Sequence, residues 1–442
     1  MGCSSYFSRW VRHRWLSGLG ITIACLASSF PALDNGFISD DFVHLEWAGQ
    51  LLTNPSHLFG TPPIGFRPTS FVVYLALKQF FGFASPFYYV FSIFIQLLCC
   101  LLVRQLARIL TRDEEVAWSA AVFFAVVYQS QEAIYYIAAM NESLMVLFGL
   151  SALVLWLRQR YLLTLLAYSL ALLSKESALI LPLLAVMIEW GLAGSRPLRP
   201  PRFLVWLIPA AGRLGFFFYF RSENYYVTEG FHAISPAIGG VLINSLVKLM
   251  VPWLPIVLLV IWVSRQGSPG REGTRTPASP PELPGVLWNS HTWWWAAWPV
   301  IALLPYVTLT YQSHVTSRHY YLAAVGWVVL LAILIGRIAL PRVRLAVFIA
   351  FLVINPGYTW LKKDRQFEER AASTTQLLEI MRNAEPAPMI ITGFPGNPWN
   401  GKLTTRLVPG WSPELLMIDE EPEPQIPGIR LHWDGQTYQR LR

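Results

Sequence analysis

The sequence predicts an all-α polytopic membrane protein, and three observations support this fold class. The 442 residues are 54% hydrophobic and have a mean hydropathy of +0.42. Only 14% of them are charged, against about 25% in soluble globular domains. The Arg residues gather in short tracts between long apolar stretches, as membrane topology signals do. Despite a formal net charge of +8, this pattern excludes a soluble enzyme, a disordered chain and a nucleic-acid-binding protein.

About eleven apolar stretches are interpreted as transmembrane helices, because a bilayer core about 30 Å thick needs about 20 mostly apolar residues per helix. The first stretch follows Arg9, Arg12 and Arg14 and could be a signal peptide. It lacks a convincing small-residue cleavage site, so we interpret it as a membrane anchor. The predicted spans are 15–33, 87–103, 116–130, 142–157, 161–173, 177–190, 203–220, 241–263, 293–311, 320–336 and 345–360.

The Arg tracts predict the orientation of these spans. They alternate so that one side of the membrane carries nearly all of them, and the positive-inside rule makes that side cytoplasmic. The alternation holds only if residues 67–83 do not cross the bilayer. We therefore predict a helix there at the outer interface, with Lys78 facing lipid headgroups. The cytoplasmic tracts are Arg9–Arg14, Arg104–Arg112, Arg158–Arg160, Arg196–Arg202, Arg265–Arg275 and Arg337–Arg344.

The predicted spans divide the chain into a transmembrane domain, residues 1–360, and a C-terminal part, residues 361–442. Within the first domain, residues 264–292 are rich in Pro, Gly, Ser and Arg, and this predicts a flexible cytoplasmic linker. The C-terminal part opens with a charged helical pattern from Asp364 to Ala384. The strand-like run Met389–Thr392 follows. We expect a small α/β subdomain, which the span count places on the outer side.

Two adjacent carboxylates, Asp40 and Asp41, stand in the first external loop, residues 34–86. One of them could take a proton from an acceptor hydroxyl while the other binds a sugar hydroxyl or a metal. The alternative is a helix start, with Ser39 as the N-cap and two acidic residues in the first turn. The two interpretations are compatible.

Two further candidates lie at the outer ends of spans. Lys175 could bind a phosphate as a point charge, or it could be a snorkelling side chain paired with Glu176. Arg318 could hold a phosphate through two parallel hydrogen bonds, or it could anchor a helix end beside interfacial Tyr residues. Arg221 has the same two interpretations as Arg318, and Glu132 could be an acceptor-positioning residue or a solvated surface acid.

All these candidates lie on the predicted outer face. Carboxylates and phosphate-binding cations at one surface indicate a reaction in which a phosphate leaves and a hydroxyl attacks. Glycosyl transfer from a lipid-phosphate sugar fits this chemistry, because the lipid tail needs an apolar groove and the headgroup lies at the interface.

The order of these motifs resembles the GT-C superfamily of polytopic glycosyltransferases over about residues 15–360. Within it, the branch of protein O-mannosyltransferases and bacterial polyprenyl-phosphate-sugar transferases is the most similar. The run Arg318–Gly326 resembles the R-Y-x-Y-L-P-S-V-G stretch of that family, with His319 in place of the first Tyr. The His that precedes the second-loop Glu of the O-mannosyltransferases is absent. The motifs concerned are Asp40-Asp41, Phe66-Arg67-Pro68, Glu132, Ser174-Lys175-Glu176 with Pro182, Arg221 and Arg318–Gly326.

The resemblance implies an inverting glycosyltransferase that takes its sugar from a polyprenyl-phosphate donor. The donor sugar stays open, and the acceptor could be a protein, a lipid or a glycan. Asp40 or Asp41 would be the catalytic base, and Glu132 and His44 would position the acceptor. The residues implied to hold the carrier phosphate are Lys175, Arg318, Arg221 and Arg67.

The sequence does not decide whether a divalent cation takes part, although Asp40, Asp41, Glu132 and His44 would offer hard ligands. The expected location is a bacterial inner membrane, crossed many times, with the site on the periplasmic face.

Two other functions stay open at the level of sequence. One is a transporter or flippase of lipid-linked sugars, for which Arg213 and Lys248 would line a path across the membrane. The other is a non-enzymatic assembly partner, in which the charged residues need not converge. The absence of a visible internal repeat and the interfacial position of the charges favour the transferase.

Overall fold

The computed structural model describes most of the chain. The predicted linker 264–292 lies outside the described residues, and so do Arg9 and Arg12. The described residues are 14–58, 65–193, 200–223, 228, 230, 235–258, 293–309, 313–338, 340–419 and 428–441.

Each predicted transmembrane stretch contains a helix. Within the described residues, six helices are long and apolar enough to cross a membrane. These six include Ser85–Thr111 and Ser317–Gly336. The helices of the bundle are α1 Arg14–Ser29, α4 Ser85–Thr111, α5 Glu114–Val126, α6 Met140–Leu157, α7 Tyr161–Ser174, α8 Leu181–Ala193, α9 Leu204–Tyr219, α10 Ile238–Met250, α11 Trp293–Leu303, α12 Tyr320–Gly336 and α13 Pro341–Tyr358.

The centre of the bundle is formed by α4, α5, α6 and α12, which pack against one another. Nearly every side chain of α5 and α12 is buried, which explains their lack of a polar face. Close packing of α11 on α12 depends on Gly326, where an added methyl group would collide with Trp298. The Trp298 indole donates a hydrogen bond of 2.8 Å to the Leu322 carbonyl.

The outside of the bundle is apolar, as a lipid-facing surface must be. Exposed Leu and Ile side chains line α1, and exposed Leu side chains line α7. A water-soluble chain would not leave such continuous apolar surface uncovered. The protein is therefore an integral membrane protein. Examples of these exposed side chains are Leu19, Ile23, Leu26, Leu162, Leu166, Ile349 and Val353.

Two short helices lie in the first external loop: α2, Asp40–Gln50, and α3, Pro68–Phe81. Helix α3 has 14 residues and is about 21 Å long, too short to cross a bilayer core of about 30 Å. Helix α3 lies within residues 67–83, the segment that was expected not to cross the bilayer. Lys78 does not point to headgroups as predicted, since its amine donates a 3.1 Å hydrogen bond to the Leu45 carbonyl of α2.

The last span does not end where the sequence predicted a domain boundary. Helix α13 continues through the π-helical turn Thr359–Asp364 into α14, Arg365–Arg382. The expected boundary at 360–361 thus falls inside a continuous helix.

A four-stranded sheet follows α14, in the order β2-β1-β3-β4. Strand β1 is parallel to β2 and β3, and β3 is antiparallel to β4. The α/β character of the C-terminal part and the first strand agree with the prediction. The elements are β1 Met389–Thr392, α15 Pro398–Leu403, β2 Leu416–Ile418, β3 Ile429–Trp433 and β4 Tyr438–Arg440.

Contacts identify the two ends of the bundle. At one end, Arg344 of α13 lies 3.9 Å from Glu115 of α5, so the predicted cytoplasmic tract Arg337–Arg344 lies beside the start of α5. At the other end, the Thr374 hydroxyl of α14 donates to the Phe37 carbonyl. The C-terminal part therefore packs on the end of the bundle that carries the first external loop.

Candidate active site

The two adjacent carboxylates of α2 have different surroundings. Asp41 is fully buried and accepts two backbone hydrogen bonds, from Ile38 N at 2.8 Å and from Ala138 N at 2.6 Å. These two hydrogen bonds hold the start of α2 against the segment that precedes α6. Burial outweighs these bonds and raises the pKa of Asp41 to about 8. Asp40 is exposed.

The backbone just before the Asp pair is strained. Ser39 has φ 43° and ψ −115°, a conformation that a residue with a side chain rarely adopts. Its hydroxyl does not cap α2, so the N-cap expected from the sequence is absent although the helix does begin at Asp40. Strain of this kind persists where surrounding contacts hold the backbone in place, and it is common at functional sites.

Asp40 belongs to a group of residues that we call the open cluster: Asp40, Glu132, Tyr136, Arg318 and Arg370. The Asp40 amide donates to the Tyr136 hydroxyl at 3.3 Å. Both guanidinium groups lie over the Tyr136 ring, at 5.5 Å for Arg318 and 5.3 Å for Arg370. Glu132 binds Arg318 twice, accepting from Nη1 at 3.1 Å and from the backbone N–H at 3.2 Å. The open cluster brings together one residue of α2, one residue of α14, and residues that lie just outside the predicted spans 116–130 and 320–336.

A second group, the sealed cluster, consists of Glu142, Lys175, Tyr306 and His319. The Glu142 carboxylate is ion-paired with Lys175 and accepts the Tyr306 hydroxyl. His319 Nδ1 lies 3.4 Å from Glu142 Oε2, and the His319 and Tyr306 rings stack at 4.2 Å. All four residues are buried. The charge of Lys175 is thus neutralised inside the protein by Glu142, and not by Glu176, the partner considered as one of two interpretations of the sequence.

A third group, the arginine pair, consists of Arg67, Glu176 and Arg213. Arg67 binds Glu176 with two nitrogens, at 2.9 and 3.3 Å. Arg213 Nη2 lies 3.8 Å from the same carboxylate, so two cations share one anion. Next to them, Phe66 stacks on Phe216 at 4.1 Å, and Arg213 covers Phe66.

His44 lies beside these groups and is buried. Its Nδ1 is 2.8 Å from the Asp40 carbonyl. Because a carbonyl only accepts, Nδ1 carries the proton and Nε2 is an acceptor. Within the described residues, this buried Nε2 has no hydrogen-bond partner. Burial lowers the pKa of His44 to about 4, and the charges of Arg67 and Arg318 act in the same direction.

A polar cavity of about 520 Å³ opens beside the open cluster. It lies between the bundle and the C-terminal part. Hydroxyl, amide, carboxylate and cationic groups line it, which suits a hydrophilic ligand. Its lining includes Ser39, Glu132, Ser317, Lys363, Arg370, Asn397 and Asn400.

The structure brings most of the predicted site residues together, with two exceptions. Arg221 is exposed in the short helix Arg221–Glu223, and no contact joins it to the three groups in the described part of the chain. Lys175 is close to the site but sealed. Among the described residues, no three or more His, Cys, Asp or Glu side chains are grouped to hold a metal ion, and both oxygens of Asp41 are engaged. The four hard ligands considered from the sequence do not fit a cation site.

Sequence reasoning missed Glu142, Tyr136, Tyr306 and Arg370 as members of the site. A carboxylate inside a predicted span is itself a signal of function or pairing, so Glu142 could have been found. Arg370 could not, because its position depends on how the C-terminal part folds back onto the bundle.

No protein-family model matches the chain, and no curated protein sequence does. Among solved structures, ArnT from Cupriavidus metallidurans bound to undecaprenyl phosphate matches with a TM-score of 0.53 and 11% identity, over 94% of this chain and 92% of that one. The archaeal oligosaccharyltransferase AglB from Archaeoglobus fulgidus, in complex with an inhibitory peptide and a dolichol-phosphate, matches with a TM-score of 0.49 and 14% identity, over 93% and 65%. The first match confirms the predicted GT-C-like polytopic fold.

Proposed function

We propose that this GT-C-fold membrane protein is a glycosyltransferase that moves a sugar from a polyprenyl-phosphate donor to an acceptor hydroxyl. The observation that carries the proposal is the open cluster. There the backbone N–H of Asp40, a residue with an exposed side chain, donates to the Tyr136 hydroxyl, and Arg318 and Arg370 lie over the Tyr136 ring. The fold supports it, because ArnT, which has the same fold, is bound to undecaprenyl phosphate.

Asp40 is the proposed catalytic base. It is exposed, whereas both oxygens of Asp41 are occupied by backbone N–H groups. Because burial keeps Asp41 protonated at neutral pH, no second negative charge stands beside Asp40. Asp40 takes the proton of the acceptor hydroxyl, and the acceptor oxygen forms a bond to the anomeric carbon. The bond from that carbon to the phosphate oxygen breaks with inversion, and the phosphate leaves with the electron pair.

Arg318 and the arginine pair are the proposed phosphate-binding groups. Arg318 is only partly exposed, and its guanidinium offers the fork that matches a phosphate. Arg67 and Arg213 both contact Glu176, and two guanidinium groups at one place are the kind of charge that would stabilise a departing phosphate. Lys175 has a structural role in this scheme, because Glu142 neutralises it.

The lipid tail and the acceptor reach the site from different sides. Helix α9 carries Arg213 and exposes large apolar side chains, including Ile208 and Phe218. This face suits a polyprenyl chain in the membrane. The polar cavity beside Glu132 is on the side of the C-terminal part, and it suits a hydrophilic acceptor. His44 Nε2, as an acceptor without a partner in the described residues, would hold a sugar hydroxyl.

The test uses membranes from cells that express the chain, with membranes from vector-only cells as the control. Polyprenyl-phosphate sugars labelled in the sugar are added, and label is counted in lipid, glycan and protein fractions. We expect transfer from at least one polyprenyl-phosphate donor and none from the matching sugar nucleotides. Transfer from sugar nucleotides alone would contradict the proposal.

The same experiment distinguishes a glycosyltransferase from a flippase of lipid-linked sugars. A flippase would move the labelled donor across the membrane and leave its sugar–phosphate bond intact. The described contacts do not favour a path across the membrane, because Arg213 is paired with Glu176 whereas Lys248 lies 2.8 Å from His314. Intact donor recovered on the opposite face, without label in any acceptor fraction, would overturn the transferase proposal.

A further inference from the structure

A second cavity, of about 790 Å³, lies at the other end of the bundle. Helix α12 runs from the candidate active site to this second cavity, since it begins beside Arg318 and ends at Gly336 in the cavity wall. Its 17 residues make the separation about 25 Å along the helix. We call this space the far-end cavity. It takes no part in the chemistry proposed above.

The polar part of the far-end cavity is rich in arginine. Four arginines, from the ends of α4 and α12 and the start of α13, line it: Arg112, Arg337, Arg342 and Arg344.

The two carboxylates in the same wall are already engaged. Asp113 accepts the backbone N–H groups of Glu115 and Val116 at 2.8 and 3.1 Å, and Glu115 faces Arg344 at 3.9 Å. Arg337 Nη1 is buried and has no partner among the described residues. The cavity therefore has an excess of positive charge that an anion would neutralise.

The backbone at Arg112 is unusual for a residue with a side chain. Arg112 ends α4 with φ 56° and ψ 19°, in the left-handed region. Glycine is the usual residue at this position, because a side chain costs energy there. An arginine stands here instead, and this residue lines the far-end cavity, where glycine would supply no charge.

Much of the remaining lining is apolar. It includes Trp295 of α11 and Phe348 of α13, together with Leu345 and Ile333. A lining that combines arginines with apolar side chains matches an amphipathic ligand with an anionic head. The segment 264–292 of this chain would be a poor occupant, because it holds three Arg and only two Glu.

We propose that the far-end cavity binds an anionic phospholipid of the inner leaflet. The arginines hold the lipid phosphate, and the acyl chains lie against Trp295 and Phe348. Basic pockets between transmembrane helices are known to take anionic headgroups in this way. A volume of about 790 Å³ accommodates a headgroup and the first part of its chains.

The test is native mass spectrometry of the full-length chain purified in detergent. The protein is titrated with phosphatidylglycerol, phosphatidylcholine, undecaprenyl phosphate and inorganic phosphate. We expect phosphatidylglycerol to bind at least about tenfold more tightly than phosphatidylcholine. Equal binding of the two phospholipids would overturn the proposal, and this comparison needs no variant. Undecaprenyl phosphate is expected to bind at the other end of the bundle, so it should leave phosphatidylglycerol bound. Displacement of phosphatidylglycerol by undecaprenyl phosphate or by inorganic phosphate would overturn the proposal too.

A matched pair of double variants locates the bound lipid. Arg337→Gln with Arg342→Gln removes two cavity charges, and we expect phosphatidylglycerol affinity to fall about tenfold. Arg158→Gln with Arg160→Gln removes two exposed charges from a predicted cytoplasmic loop outside the cavity, and we expect no change. Equal losses in both double variants would show general attraction to the lipid surface and contradict a specific site.

Discussion

The open and sealed clusters each hold a carboxylate–cation pair beside a tyrosine, but the two pairs differ in their access to water. In the sealed cluster the side chains of Glu142 and Lys175 are 0% and 7% exposed. In the open cluster those of Glu132 and Arg318 are 13% and 24% exposed. Each cluster contains one acid–cation pair beside a tyrosine, Glu142 with Lys175 in one and Glu132 with Arg318 in the other. These two pairs differ mainly in burial.

This comparison separates structural from chemical roles. A buried ion pair whose lone pairs are filled cannot bind a substrate without losing its own partner. A partly exposed pair can exchange a partner for a ligand at little cost. We therefore assign stability to the sealed cluster and chemistry to the open one, and the predictions below test that division in order of expected effect.

The largest effect is expected for Asp40→Asn. Removing the base should lower the transfer rate by about 10²- to 10⁴-fold while the thermal melting temperature in detergent stays unchanged, because Asp40 is exposed. Glu46→Gln, on the same helix, is the matched control and should keep the wild-type rate. Full activity of Asp40→Asn would show that the open cluster takes no part in the transfer reaction.

In the sealed cluster, Glu142→Ala should destabilise the protein by about 3–5 kcal/mol, because it leaves Lys175 buried without its partner. Glu132→Ala in the open cluster should cost about 1 kcal/mol or less. Thermal melting in detergent measures both. The double variant Glu142→Gln with Lys175→Met should recover most of the loss. Equal effects of Glu142→Ala and Glu132→Ala would contradict the division.

Arg318→Lys keeps the charge in the open cluster but removes the guanidinium fork. We expect the KM for the polyprenyl-phosphate donor to rise about tenfold with little change in melting temperature. The measurement is the donor dependence of the initial rate. Arg365→Lys, at an exposed position of α14, serves as the control. An unchanged KM would show that Arg318 does not touch the donor phosphate.

The buried carboxylate Asp41 predicts a pH dependence of stability. In the unfolded chain Asp41 loses its proton near pH 3.8, the ordinary pKa of an aspartate, whereas in the folded protein it keeps the proton to about pH 8. The unfolding free energy contributed by Asp41 thus falls as pH rises through this window.

His44 acts in the opposite direction, because its folded pKa of about 4 lies below the ordinary histidine value of 6.5. The decrease of the unfolding free energy with rising pH is therefore clearest between pH 6.5 and pH 8. Over this range the decrease should be of the order of 1 kcal/mol. Melting curves across that range measure it, and Asp41→Asn should flatten the dependence. A stability that rises with pH in wild type but not in the variant would contradict burial of an ionisable Asp41.

The smallest effect is expected for Ser39→Gly. Glycine adopts φ 43° without strain, so the melting temperature should rise by a degree or two, equivalent to about 1 kcal/mol or less. The transfer rate should fall slightly because Asp40 is held less firmly. A lower melting temperature would show that the Ser39 side chain stabilises the turn.

The sequence predicted the fold better than the site. Apolar stretches located the helices because a lipid-facing helix must be apolar throughout. Met389–Thr392 was recognised as a strand because it is rich in β-branched residues, and the structure shows it to be buried. Asp40 and Asp41 could not be told apart. Their difference comes from Ala138, which reaches Asp41 only in the folded chain.

The partner of Lys175 was missed for a related reason. Glu176 is adjacent in sequence, but adjacent residues in a turn point in different directions. Glu142 lies on another helix and Glu176 binds Arg67. Such pairings depend on helix packing, which local patterns do not encode.

A structure of the chain with added undecaprenyl phosphate tests the central claim most directly. We predict that the lipid phosphate lies within hydrogen-bond distance of the Arg318 guanidinium, on the side of the open cluster that Asp40 faces, with its chain along α9. A phosphate bound only in the far-end cavity, or on the bundle away from Arg318 and Asp40, would contradict it.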